Sequence, residues 1–143
     1  MKTLNITDFK LDLKNKIKPH KYKLFSRGYK QSCTILTQIR VGQSDLKTHK
    51  FKVGLSDTTE CSCGHKYESP EHYITQCPKY AEERRTLYDR MLQFVPNFLR
   101  LPIKRQYEIL IFGYQPTDPE LLKINTKIMR FTQSFIQHSR RFI

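Results

Sequence analysis

A small, mainly α-helical domain is the fold this sequence predicts, and three observations predict it. Apolar residues recur at steps of three and four along four separate stretches, which is the spacing of a helix face. Helix-starting Ser, Asp and Pro and helix-stopping Gly stand at the ends of those stretches. Three cysteines and a histidine crowd between Cys61 and Cys77, where a domain with a modest core would place a metal staple. The only strand content this pattern leaves room for is a short hairpin around residues 51–67, before or at the cysteine turn.

The core is modest because a chain of 143 residues buries only about two-thirds of its unfolded surface. Its residues are 38% hydrophobic and 27% charged, with no Trp, and its mean hydropathy is −0.63. No stretch approaches the ~20 apolar residues of a membrane span, and Met1–Lys10 lacks the apolar centre of a signal peptide. The expectation is therefore a soluble intracellular protein, in nucleus or cytoplasm, with no membrane partner. Thiols stay reduced there, so clustered cysteines point to metal ligation before disulfides.

The elements follow in order. Residues 1–30 read as a basic arm, with six lysines between Lys10 and Lys23 and Pro19 interrupting any helix that Leu11, Leu13 and Ile17 start. A helix from Gln31 carries Cys33, Ile35, Leu36, Ile39 and Val41 on its apolar side and closes at Gly42. Cys33 belongs to that side as a small hydrophobe. Ser44 is placed to cap a short helix containing Leu46, with His49 near its basic end. After the cysteines, Pro78 stands at a first helical position, and Tyr80, Ala81, Arg84, Leu87, Tyr88, Met91 and Leu92 follow at helical spacing until Pro96. Ile103–Phe112 repeats the pattern and Gly113 closes it. Asp118 and Pro119 open the last helix, along which Leu121, Ile124, Ile128, Phe131 and Phe135 form a narrow seam, more often core-facing than a dimer interface. This divides the chain into an arm (1–30), a helix plus metal module (31–95) and a helical extension packed on it (96–143).

Within the module, eight residues separate Cys63 from His72 and four separate His72 from Cys77. Three thiolates and one imidazole are a closed tetrahedral set for one structural Zn²⁺, with no position left for water. Gly64 permits the positive φ that a tight turn after Cys61-Ser62-Cys63 can require. Ser69, Pro70 and Glu71 then open a helix with His72 in its first turn. On an unbroken helix Cys77 would lie about 140° around the axis from His72. Pro78 disfavours the α region for Cys77, so the helix should stop there and release the sulfur toward the metal. His65, two residues past Cys63, is the competing ligand and the poorer one, because the chain should already be leaving the ion there. Glu68 and Glu71 are close enough to suggest a catalytic base, but four good ligands argue against an open catalytic site.

The run Ile35-Leu36-Thr37-Gln38-Ile39-Arg40-Val41-Gly42-Gln43-Ser44, then Leu46, Cys61-Ser62-Cys63-Gly64, Glu68-Ser69-Pro70-Glu71-His72-Tyr73-Ile74, Cys77-Pro78-Lys79-Tyr80 and Arg84 resembles a known family. It is similar to the CCHC zinc-binding segment that follows the reverse transcriptase, and often a ribonuclease H domain, at the C-terminal end of non-LTR retrotransposon polyproteins. The resemblance spans residues 26–92. It implies zinc ligation by the same four residues and a part in handling element RNA or target DNA. It does not imply catalysis, since the paired aspartates of a polymerase palm and a ribonuclease H acidic cluster are both missing among 13 carboxylates.

Charge agrees with a polyanionic partner. Residues 1–52 hold 13 basic and 3 acidic residues, net +10, and residues 53–143 hold 13 and 10, net +3. The expected nucleic-acid contacts are Lys14, Lys16, Lys18, Lys21, Lys23, Arg27, Lys30 and Arg40, with Tyr22, Phe25 or Tyr29 stacking on unpaired bases. The expected function is thus a non-catalytic, zinc-stapled nucleic-acid-binding module with no small-molecule substrate. The alternative is a scaffold domain that dimerises or docks on a polymerase, such as a reverse transcriptase, through the last helix.

Overall fold

The helix face read from Ile35, Leu36 and Ile39 is the buried face of the first helix, none of the three being more than 7% exposed. The computed structural model describes residues 27–114 and 119–142. Lys14, Lys16, Lys18, Lys21, Lys23, Tyr22, Phe25 and Asp118 lie outside the described residues, as do the side chains of Arg27, Tyr29 and Leu121. Among the described residues there are six α-helices and no strand. They are α1 (Arg27–Arg40), α2 (Lys47–Lys52), α3 (Pro70–Thr75), α4 (Ala81–Phe94), α5 (Ile103–Phe112) and α6 (Pro119–Ser139), with 3₁₀ turns at Pro78–Tyr80 and Phe98–Arg100. Helix α1 begins at Arg27, so Arg27 and Lys30 belong to a helix rather than to the arm. It closes after Arg40 with Gln43 N–H donating to Gln38 O at 2.9 Å and Gly42 N–H to Ile39 O at 3.1 Å, the paired bonds of a Schellman stop.

Helix α6 is the element on which the others rest. Both α1 and α4 pack against it, α5 contacts it as well, and α3 packs on α5. Because it meets three helices, its buried face is wider than a two-helix seam: Ile128 and Phe135 are joined in the interior by Asn125, Thr132, Gln133 and Ile136. Residues 96–143 supply seven of the 19 buried hydrophobic residues, Phe98, Ile109, Leu110, Ile111, Ile128, Phe135 and Ile136, and pack against α1, α3 and α4. Ile128 and Phe135 are at most 3% exposed within this chain.

The polar residues inside this core finish α5. Carbonyls in the last turn of a helix have no partner within it. Thr132 Oγ1 donates to Leu110 O at 2.7 Å, and Arg40 Nε donates to Ile111 O at 2.6 Å. Asn125 takes Tyr114 N–H at 2.7 Å and returns a bond to Tyr114 O at 2.8 Å. Gly113 has φ +73°, and a Cβ there would sit 2.7 Å from Asn125 Oδ1, so both backbone and space demand glycine.

The region read as a hairpin keeps the reversal without the strands. Glu68 N–H donates to Thr59 O at 2.7 Å and Cys61 N–H to His65 O at 2.9 Å, too few bonds for a ladder, because α2 and its closing turn take up the first half of the segment. Ser44 does not cap α2. Its Oγ accepts from Leu46 N at 3.4 Å, and the first amide of the helix, Lys47 N–H, donates instead to Glu68 Oε1 at 3.0 Å. Thr48 adds N–H and Oγ1 bonds to Glu68 O at 3.4 and 3.2 Å. No residue of α2 is buried.

Candidate metal centre

Three short pieces of chain converge, and each is shaped by local chemistry. The first is the turn Cys61–Gly64, closed by Gly64 N–H donating to Cys61 O at 2.9 Å, with φ +99° at Gly64 in the region that favours glycine. The second is α3. Ser69 is extended at the N-cap, its Oγ accepts from His72 N at 3.1 Å, and Pro70 sets the first turn. The third is Cys77, which is extended at φ −64°, ψ 122° before Pro78. The helix stops at Thr75, two residues earlier than the proline alone required, and Cys77 N–H folds back on His72 O at 2.7 Å.

The outcome is a cluster. The ligand atoms of Cys61, Cys63, His72 and Cys77 all lie within 4.8 Å of one another, close enough to hold one metal ion. The Cys61 and Cys77 sulfurs are 3.7 Å apart, and Cys63 Sγ is 3.3 Å from His72 Nε2. A tetrahedral zinc with bonds of about 2.3 Å to sulfur has S···S edges of about 3.8 Å. None of the four cysteines is in a disulfide. Cys61, His72 and Cys77 are buried, none more than 4% exposed, and Cys63 is half-buried.

The electrostatics suit a cation. A hydrogen bond from the His65 backbone amide holds the Cys63 thiol below its usual value. Burial pushes Cys77 up to about 12, against the opposing pull of the Lys79 amide. Both sulfurs thus accept an amide two residues on, yet three thiols this close, two of them buried, cannot all ionise side by side without a positive charge among them. Burial, then His65 and Arg84, lowers the His72 pKa and keeps the ring neutral, the form a metal needs. His72 Nε2 faces Cys63 Sγ within the cluster, and its Nδ1 is buried with no hydrogen-bond partner. The donor set and its surroundings fit a metal.

The competing residues fall outside. His65 stacks on His72, centroids 4.2 Å apart and planes 11° from parallel, while its Nδ1 is occupied by the Tyr67 backbone at 3.0 and 3.2 Å. Cys33 is on α1 and accepts from Gln133 Nε2 at 3.1 Å. Of the expected nucleic-acid contacts, Lys30 is exposed. Arg40 is not turned to solvent. Besides Ile111 O it contacts Met129 Sδ at 2.6 Å, and burial lowers its guanidinium to about 10, so Nε and Nη2 are engaged within the protein.

Four residues that hold the cluster from outside were not legible as supports. Arg84 on α4 donates to Ile74 O at 2.9 Å and Tyr73 O at 3.1 Å, satisfying the C-terminal carbonyls of α3. Lys79 Nζ reaches Ser62 Oγ at 2.6 Å, joining the two cysteine turns. Tyr73 is fully buried against Tyr80, Phe135 and Phe142 and hydrogen-bonded to Ser139. Glu68 is the fourth support. Its carboxylate is clasped by Arg141, with Nη2 at 2.6 Å and Nε at 2.9 Å. Burial alone would raise its pKa, but the bonds from Arg141 and the Lys47 amide outweigh this and hold it below the usual carboxylate range. The Arg84 pairing had one signal, its place at the end of the motif run; the Glu68–Arg141 pairing had none.

Compared with known proteins, the chain matches no family model, no curated protein and no solved structure.

Proposed function

We propose that the cluster holds one structural Zn²⁺ and that the chain is a non-catalytic nucleic-acid-binding module of retrotransposon origin, acting on element RNA or target DNA. The observation that carries the reading is the convergence of three thiols and one imidazole, with no fifth donor among the described residues, a set that favours zinc and closes its coordination. Bound zinc would supply the positive charge that lets the thiolates share one site. Cys61 and Cys63 would then be tied to α3 and to the Cys77-Pro78 turn. The nucleic-acid part rests on the net +10 of residues 1–52 and on the resemblance of residues 26–92. The burial of Ile128 and Phe135 weighs against docking through the last helix.

Salt tests it. Each phosphate neutralised contributes about −0.7 to the slope of log K against log salt on single strands, so four or five arm lysines on phosphates give a slope near −3. Replacing Lys14, Lys16, Lys18, Lys21 and Lys23 by Gln should flatten the slope and weaken binding to all sequences alike, at unchanged zinc content. The same change at Lys123, Lys127 and Arg130 should do much less. Binding that ignores salt would instead favour an apolar protein contact.

A further inference from the structure

Helix α2 adds no side chain to the core. A six-residue helix is far below the length at which helices persist alone in water, and this one buries none of its residues. It exists because Leu46, fully buried, anchors its start and Glu68 caps it from across the loop. What it displays is unusual. Lys47, Lys50 and Lys52 stand on six residues with no carboxylate among them, and like charges three and four apart repel. Phe51 is 51% exposed, as is Val53 just beyond, and Leu55 is 76% exposed. Tyr67, 54% exposed, immediately precedes the Glu68 that bonds the first turn of this helix. Of the eight large hydrophobics exposed among the described residues, four lie between Phe51 and Tyr67.

We infer that α2 and Tyr67 form a platform for single-stranded nucleic acid, with Phe51 and Tyr67 stacking on unpaired bases while Lys47, Lys50 and Lys52 meet the phosphates. The inference rests on the nucleic-acid reading above and adds its substrate class and a second binding surface. Exposed rings among lysines complement a strand whose base faces and phosphates are both accessible, and a duplex hides its base faces.

The absence of tryptophan provides a direct readout. Full-length, zinc-loaded Phe51→Trp protein is titrated with 20-nucleotide oligo(U), oligo(dT), the dT:dA duplex and phosphatidylserine vesicles. Quenching by one or both single strands, and much less by duplex, is expected; oligo(U) against oligo(dT) separates RNA from DNA. In anisotropy assays, removing both rings as Phe51→Ala and Tyr67→Ala should weaken single-strand binding by about 5- to 100-fold per ring with the salt slope unchanged. Phe51→Tyr with Tyr67→Phe should restore it. Converting the three lysines to Gln should instead lower the slope, by about 0.7 for each phosphate left without its lysine. Nucleic-acid binding with no quenching and no weakening in the ring variants overturns this inference and leaves the arm reading standing. Quenching by vesicles and not by oligonucleotides overturns it also. No binding to any nucleic acid overturns both.

Discussion

Cys61 and Glu68 are seven positions apart, both are buried, and they are held by opposite means. Cys61 is held from within its own neighbourhood, by a cluster whose four members all fall between residues 61 and 77. Glu68 is held by Arg141, 73 residues away, and it passes that anchorage on to α2 through Lys47 and Thr48. A donor cluster of this kind gains its energy from an ion and can organise a segment with almost no core. A buried carboxylate–guanidinium pair gains little over an apolar pair and is costly mainly when half of it is removed. With an ion in the cluster, the loop between α2 and α3 would be pinned by one strong local device and one conditional distant device.

The difference is tested most severely at the metal. Structural zinc is worth roughly 10–16 kcal/mol in small zinc peptides, against a total stability of about 5–15 kcal/mol for a domain. Chelation should melt residues 61–77 and loosen the helices against them, seen as lost helical circular dichroism and a lower Tm. His72→Ala should abolish one-equivalent zinc binding by elemental analysis and His65→Ala should not. A chelated protein with unchanged Tm would make the cluster incidental and leave the distant pair as the principal pin.

A smaller effect sharpens the contrast at Glu68. Glu68→Ala leaves Arg141 and the Lys47 amide without their acceptor and should cost about 2–4 kcal/mol, since Arg141 keeps some solvent. Zinc content should stay at one equivalent. The pH dependence has a definite sign. The folded pKa of Glu68 lies below its unfolded value, so its contribution is complete above the ordinary glutamate value of about 4.3. It is lost as pH falls through the lowered folded value. The stability gap between wild type and Glu68→Gln, measured by denaturant unfolding, should therefore shrink across that acid window. A gap independent of pH would show that the charge on Glu68 contributes nothing.

The smallest expected effect is at Ser69, whose Oγ caps α3 through His72 N. Ser69→Ala should cost about 1 kcal/mol and weaken zinc affinity by a few-fold, because the cap orients a ligand-bearing turn. A loss as large as that of His72→Ala would mean that the cap, not the ion, organises α3.

What was legible followed the reach of each signal. Ser69, Pro70 and Pro78 act on backbone within a turn of themselves, so the start of α3 and the extended Cys77 could be read directly, and Ile103–Phe112 with Gly113 reproduces the observed α5. The cap of α2 was misassigned because Ser44 has the right chemistry locally, whereas the acceptor that wins comes from residue 68. Arg40 was read as a surface cation because charge alone does not say which carbonyls lack partners; Ile111 O, 71 residues on, is one.

The sequence by itself determined the four donors, the helix ends beside them and most of the apolar faces of α1 and α5, Val41 and Ile103 being exposed at their ends, since spacing, caps and prolines operate over three or four residues and need no partner. Only the tertiary structure decided that α6 is the centre of the core, that Arg40 turns inward and that Glu68 is clasped by Arg141. The last two join residues 71 to 89 positions apart, and the packing of whole helices selects among many equivalent cations and carbonyls which of them meet.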